Sequence, residues 1–297
     1  MANLRQHMDK MKKQYHSQTI PIKLHERVEN AIAFRRRRQK AVLWVRRIGS
    51  SGVAAVLALC IVANTSSAAA QALSGIPVIG ALVHIFTFRE YENSQNGVQI
   101  KLQTPHISGL GDPEAERLLN EQFDAYADQL IAQYEADVAS MDGFSEGHES
   151  IESTYKVYID SDRQLTIGMN TTILMASSMQ YNTFYNIDKQ TGLLVPLSGL
   201  FLPDADYVSI LSDMVAAQMR AQMAQSDDVA YFIDTDMPDL NFKAIRADQP
   251  YYVDANGDLV LSFDKYEAAP GFMGTFTMTI PAEDLTDIIL PGGLLDK

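Results

Sequence analysis

The run Val53-Ala54-Ala55-Val56-Leu57-Ala58-Leu59-Cys60-Ile61-Val62-Ala63 decides how this chain is to be read. It sits inside a longer stretch, Ile48 to Phe88, of 41 consecutive residues without a formal charge. Arg46 and Arg47 stand immediately before that stretch, and Arg35-Arg36-Arg37-Arg38 a little further upstream. The small-residue tract Ser66-Ser67-Ala68-Ala69-Ala70-Gln71-Ala72 follows the apolar run. A basic flank, an apolar run and a small-residue tract, in that order, describe a membrane crossing with a signal-peptidase-like site on its far side.

Charge divides the chain at the same place. Residues 1–47 hold 13 Lys/Arg against 3 Asp/Glu, a net of +10. The remainder holds 11 Lys/Arg against 34 Asp/Glu, a net of −23. Basic flanks stay in the cytoplasm, so the acidic body is expected outside. Cys60 is the chain's single cysteine and lies within the apolar run, which leaves the body without a disulfide to stabilise it. A strongly negative body attracts basic partners, and it also keeps a domain soluble. Nucleic acid is not an expected partner, because the arginine cluster next to an apolar run is a topology and lipid signal.

Ile48 to Ala70 would span roughly 34 Å as a helix, enough to cross ~30 Å of hydrocarbon. Trp44 suits the inner interface. A cleaved secretory leader is the rival reading, since Ala68-Ala69-Ala70 and Ala70-Gln71-Ala72 both fit an Ala-x-Ala site. A 47-residue arm before the run is far longer than the basic start of a leader, and this favours a signal anchor. The organisation read from this is an inner arm at 1–47, a crossing at 48–70, an amphipathic juxtamembrane segment at 71–89, and an outer body in two parts, 90–190 and 191–297.

The inner arm places Pro21 where a first helical turn tolerates it, followed by Leu24, Val28, Ala31 and Ile32 on one stripe. So short a helix is marginal alone and needs a surface, either the inner leaflet or a protein on which it folds. Ile79, Leu82, Val83 and Phe86 are also at helical spacing and predict a short helix over Pro77–Phe88.

The outer body reads as α+β, with helices and antiparallel strands in separate groups. One strand is expected over Tyr91–Thr104, then a helix with Asp112 as N-cap and Pro113 first, running to about Ser140. Strands are expected at Ile151–Asp160, Gln164–Met175 and Gln180–Asp188, with a turn at Lys189–Gly192. A second helix begins at Asp204 or Asp206 and ends near Gln225. Further strands are expected at Phe242–Val253, Asp258–Phe263 and Thr275–Ile280.

Motifs for catalysis are missing. Asp254-Ala-Asn256-Gly257-Asp258 begins like a calcium loop, but glycine comes too early and Lys265 stands where the last carboxylate belongs. Asn256-Gly257 reads instead as a type I′ hairpin turn. Asp160-Ser-Asp162 and Asp204-Ala-Asp206 read as turn and helix caps. The histidines show no metal-ligand spacing, and neither a phosphate loop nor a Gly-x-Ser-x-Gly occurs. A non-enzyme without cofactor is expected.

Several pieces, in order, carry a family resemblance. They are the Ile-Pro-x-x-Leu-x-x-x-Val run from Ile20 to Val28, the single crossing, Pro77-Val-Ile-Gly80 and Thr87-Phe-Arg-Glu-Tyr-Glu92. Tyr185-Asn-Ile-Asp-Lys-Gln-Thr-Gly192, Leu197-Ser-Gly-Leu-Phe201 and the long run from Tyr252 to Gly271 follow. Together they resemble the RsiV-type anti-sigma factors over nearly the whole chain.

The resemblance implies an inner arm that holds an extracytoplasmic-function sigma factor, with Leu24, Val28 and Ile32 as its candidate contacts. It implies an outer body that binds lysozyme, a basic protein. Signal peptidase would cut after Ala70 or Ala72, with Ala68 or Ala70 as the upstream small residue. An intramembrane protease would then cut the stub, where Gly52 and Asn64 can loosen the helix. The alternative is an exported cell-wall-binding protein whose leader is removed.

Overall fold

Asn96 and Gly97 turn the chain at the edge of its larger sheet, both with positive φ (52° and 79°). This is the type I′ geometry that matches strand twist, and it joins β1 (His84–Gln95) to β2 (Val98–Ser108). The computed structural model describes residues 83–110, 112–140, 149–175 and 177–296. The expected inner arm, the crossing at 48–70 and residues 71–82 lie outside the described residues.

Two expectations change here. The single strand expected over Tyr91–Thr104 is a hairpin of two. The helix expected over Pro77–Phe88 is corrected for its described end, since His84 to Phe88 belong to β1. Ile85 packs into the core while Phe86 points away, a strand alternation that the helical spacing concealed.

Next comes α1 (Pro113–Ser140). Asp112 accepts from the Glu114 and Ala115 amides at 2.9 and 3.2 Å, which caps the helix as expected. Strands β3 (Glu149–Asp160), β4 (Gln164–Leu174), β5 (Ser178–Asp188) and the short β6 (Leu193–Leu194) complete a six-stranded sheet in sequence order. The sheet is mixed, not wholly antiparallel as expected, because β2 and β3 run parallel. The helix between them carries the chain back to the same end before β3 starts.

Every third or fourth residue of α1 faces that sheet: Leu119, Phe123, Ala127, Leu130, Tyr134 and Val138 are buried. They pack on Val98, Ile100, Leu102 and Ile107 of β2 and on Leu165, Ile167 and Met169 of β4. Asn120 adds direction: its amide pairs with both the N–H and the C=O of Ile107, each at 2.8 Å.

The chain then passes to α2 (Tyr207–Gln225), capped by Asp206 through the Ser209 amide. A long connection leads to β7 (Tyr251–Val253), β8 (Leu259–Phe263) and β9 (Phe276–Ile280), a three-stranded antiparallel sheet. Of the strand expected over Phe242–Val253, only the last three residues form one. Leu211, Val215 and Met219 of α2 are buried with Leu259, Leu261, Phe263, Met278 and Ile280. The Asn256-Gly257 turn is not type I′, since of the two only Gly257 has a positive φ (79°). Asp254 shapes it, accepting from the Asn256 and Asp258 amides at 2.8 and 3.0 Å.

The small sheet lies against β5. Buried amides make the junction: Asn186 donates to Tyr251 O at 2.7 Å and Gln164 to Val253 O at 3.2 Å. Both carbonyls belong to β7, which has a strand neighbour only in β8, so these amides take the place of a missing strand. Thr166 links the two by donating to Asn186 at 2.8 Å and accepting from Gln164 at 2.8 Å. Beside this seam the rings of Tyr158, Phe184 and Tyr252 meet pairwise at 5.0–5.2 Å. Of these, Tyr158 and Phe184 close over Gly168.

A Cβ on Gly168 would lie 2.4 Å from the Tyr158 ring and 3.0 Å from Phe184. Gly168→Ala is therefore expected to destabilise the fold by about 1–3 kcal/mol, read from urea unfolding; an unchanged midpoint would contradict this packing. Burial pushes the Asp137 carboxyl, near the end of α1, up to about 6 against a slight lowering by Gln133. The folded chain thus holds a proton that the unfolded chain releases. Its stabilising share is full below the ordinary aspartate value and is lost as pH rises through about 6. Asp137→Asn is expected to flatten that fall, seen as a wild-type minus variant difference in Tm between pH 4 and 7.

Candidate functional site

The residues singled out from sequence, Leu24, Val28, Ile32, Gly52, Asn64, Ala68, Ala70 and Ala72, all lie outside the described residues. The crossing expected at 48–70 is likewise outside them, and no helix of the described residues is long and apolar enough to span a membrane. Among the described residues no group of three His, Cys, Asp or Glu side chains is placed to hold a metal. The acid pairs read as caps divide in role. Asp206 caps α2 and Asp160 pairs with Lys189, while Ser161, between Asp160 and Asp162, accepts from the Gln164 amide at 3.0 Å.

Surface features distinguish one region, built from the segment after β8. Tyr266 has φ +70°, a left-handed conformation that a bulky side chain seldom adopts. The neighbourhood holds it there. Lys265 N–H donates to Gln180 O at 3.0 Å, and Glu267 N–H to Asp264 O at 3.0 Å. The Glu267 carboxylate accepts from the Asp264 amide at 2.7 Å and from Gln249 at 3.2 Å. Arg246 reaches Glu267, Asp248 and Asp264 at 3.4, 3.6 and 3.8 Å. Backbone strain this firmly supported, at a residue whose ring is 45% exposed, is characteristic of a working surface.

The Tyr266 hydroxyl bonds Ser177 at 2.9 Å, in the turn between β4 and β5. Phe272, 70% exposed, comes from the segment after β8, and Leu174, 44% exposed, ends β4 just before that turn. Gly271 makes the arrangement possible, since a Cβ there would fall 2.3 Å from the Tyr266 ring.

A second feature is the loop after α2. It places five aspartates, 227, 228, 234, 236 and 239, within Ser226–Asp239. Its backbone is fixed by side chains. Asn241 Oδ1 accepts from the Thr235 hydroxyl at 2.6 Å and from its amide at 3.2 Å. Arg220 grips Asp234 with two nitrogens at 2.7 and 3.1 Å and holds that carboxyl below the usual range. Asp236, Asp239 and the apolar Met237 and Leu240 remain exposed. The loop is joined to the Tyr266 segment by Phe232 N–H donating to Ala268 O at 2.8 Å. Acidic groups, exposed apolar side chains and a preformed backbone suit recognition of a basic protein surface. Sequence reading quoted Tyr266 and Gly271 only as pieces of a pattern and did not single out this loop. Its signal, three aspartates interspersed with Met237, Pro238 and Leu240 between Asp234 and Leu240, is present in the sequence.

Comparison with known proteins gives three findings. Residues 198–283 match a family described as a protein of unknown function, DUF3298. The chain is 32% identical over 283 residues to the anti-sigma-V factor RsiV of Bacillus subtilis (strain 168), covering 95% of this chain and 96% of that protein. Two crystal structures share the fold. They are a DUF3298-family member from Bacteroides fragilis (14% identity, TM-score 0.52, 73% of this chain and 97% of that one) and a DUF3298-family protein from Pseudomonas aeruginosa (16% identity, TM-score 0.52, 73% and 96%). Both the Tyr266 segment and the aspartate loop lie within the DUF3298 match.

Gly271→Ala is expected to drive the Tyr266 ring off its seat, lowering stability by about 1–3 kcal/mol and breaking the bond to Ser177. Urea unfolding together with hydrogen exchange at the Lys265 amide measures this; a variant indistinguishable from wild type would show that the ring is not seated on Gly271.

Proposed function

We propose that this chain, which belongs to the RsiV-type anti-sigma factor family, is a single-pass membrane sensor that releases its sigma factor by regulated proteolysis. The observation that carries the reading is the 32% identity over 95% of the chain. Sequence order supports the topology: a +10 arm, an uncharged run at 48–70 and a −23 body.

In this reading the inner arm folds its Leu24, Val28 and Ile32 stripe onto an extracytoplasmic-function sigma factor and keeps it from polymerase. The outer body is a receptor for lysozyme. The aspartate loop steers a basic ligand toward the surface, and Tyr266 and Phe272 give it an apolar contact once docked. Occupancy makes the tract Ala68–Ala72 accessible to signal peptidase, with the cut after Ala70 or Ala72. An intramembrane protease then acts on the stub near Gly52 or Asn64 and frees the arm. The protein's own role is regulatory, not enzymatic, and it uses no cofactor.

The test is capture of lysozyme by the full chain in lipid nanodiscs across a salt series. Saturable binding at low ionic strength is expected, weakening by roughly tenfold as salt rises toward 0.5 M. Absence of binding at low salt would remove lysozyme as the ligand and leave the family assignment standing.

A further inference from the structure

The end of α1 and the β1–β2 hairpin border an open hollow of about 350 Å3, with Asn93, Gln95, Asn96 and Glu135 exposed at its rim, well away in sequence from the Tyr266 segment. Tyr91, Asn93, Gln95 and Asn96 line it from the hairpin, and Tyr134 and Glu135 from the helix. Its volume is at the small end for ligand sites and suits one side chain.

Its chemistry is one-sided. No lining residue is basic. The last turn of α1 carries no basic residue either, and its Val138 carbonyl accepts from the Asn96 side chain at 3.4 Å; Val138 and Ala139 complete the wall. Glu135 adds a full negative charge. Asn93, Gln95 and Asn96 bring amide groups to the rim, with the Asn93 side-chain oxygen already accepting from the Ser94 amide at 2.8 Å. Asn93 already leans on the Tyr91 hydroxyl at 3.4 Å. Tyr134 is only 2% exposed, yet its hydroxyl has no hydrogen-bond partner among the described residues. A buried phenol left without a partner is costly, and a ligand's polar group within reach would relieve that cost. Two tyrosine rings, a carboxylate and several acceptors with no competing base describe a seat for a planar cation.

We propose that this pocket receives one arginine side chain of a basic protein partner, its guanidinium directed at Glu135. The proposal takes the nature of the partner from the reading of the outer body as a receptor for a basic protein. The seat itself is independent of which protein that is. Arginine is preferred to lysine because a flat, forked donor meets spread acceptors and aromatic walls together, where an ammonium meets one.

The experiment is saturation-transfer NMR on the full chain in lipid nanodiscs, with N-acetyl-arginine methylamide as the probe. N-acetyl-lysine methylamide and N-acetylglucosamine run as parallel arms. The arginine probe is expected to bind saturably and more tightly than the lysine probe. Glu135→Gln should weaken it about tenfold, the loss of one charge-assisted contact. Asn93→Ala should also weaken it, and Glu121→Gln, on the same helix but paired with Arg117, should not. Circular dichroism confirms that each variant is folded. No arginine transfer, transfer equal in all variants, equal binding of lysine, or preferential binding of the sugar would each overturn the proposal. Lysozyme capture on the same nanodiscs separates the two readings: lysozyme bound without the arginine probe sinks the pocket alone, and the converse sinks lysozyme alone.

Discussion

The two sheets are joined through side chains that stand in for backbone. Asn186 and Gln164 donate into the outer carbonyls of β7, and Thr166 ties the two amides to each other. All three are buried, Thr166 completely. A buried amide with one partner removed costs the full desolvation of what is left, so the network favours one relative placement of the sheets and disfavours a slipped one. The Tyr158 and Phe184 rings close over Gly168 beside it, with Tyr252 packed against both, and this disfavours sliding. The positions of the segment after β8 follow from this. Asn182 donates to Ser262, and Lys265 N–H to Gln180, so β5 also sets where Tyr266 stands.

Much of the body was legible because local signals agreed. Asp112 with Pro113 marked one helix start and Asp206 another, and the apolar stripe from Leu119 to Val138 marked a helix face. Errors arose where a short apolar run fits two periods, as in the segment ending at Phe88. The Asn96-Gly97 dipeptide is a strong hairpin signal, but the alternation on either side of it reads as one continuous strand. The connection before β7 reads as strand in sequence, but side-chain bonds such as Gln249 accepting from the Arg246 amide hold it as loop.

The seam was invisible for a different reason. Gln164, Thr166 and Asn186 alternate with apolar neighbours and look like the wet side of a half-buried sheet. Only the arrival of β7, about 65 to 90 residues later in the chain, takes them out of water. The positive φ of Tyr266 has no compositional trace at all, since it results from contacts on both sides of the residue. Charge was the most readable property and the least located: the sequence counts aspartates, and the fold decides which of them, Asp236 and Asp239 among them, remain free of backbone duties on an exposed loop.

Both sheets finish at blunted rims. The outermost strand of the larger sheet, β1, is broken by a bulge between Thr87 and Arg89 and carries Glu90 and Glu92, while the opposite rim, β6, is two residues long. In the smaller sheet, Gln218 of α2 donates to Thr279 on β9 at 2.9 Å, and β7 is stoppered by Asn186 and Gln164. Such rims give a neighbouring molecule little purchase for adding a strand of its own. The described body is therefore poorly suited to side-by-side growth through the edges of either sheet.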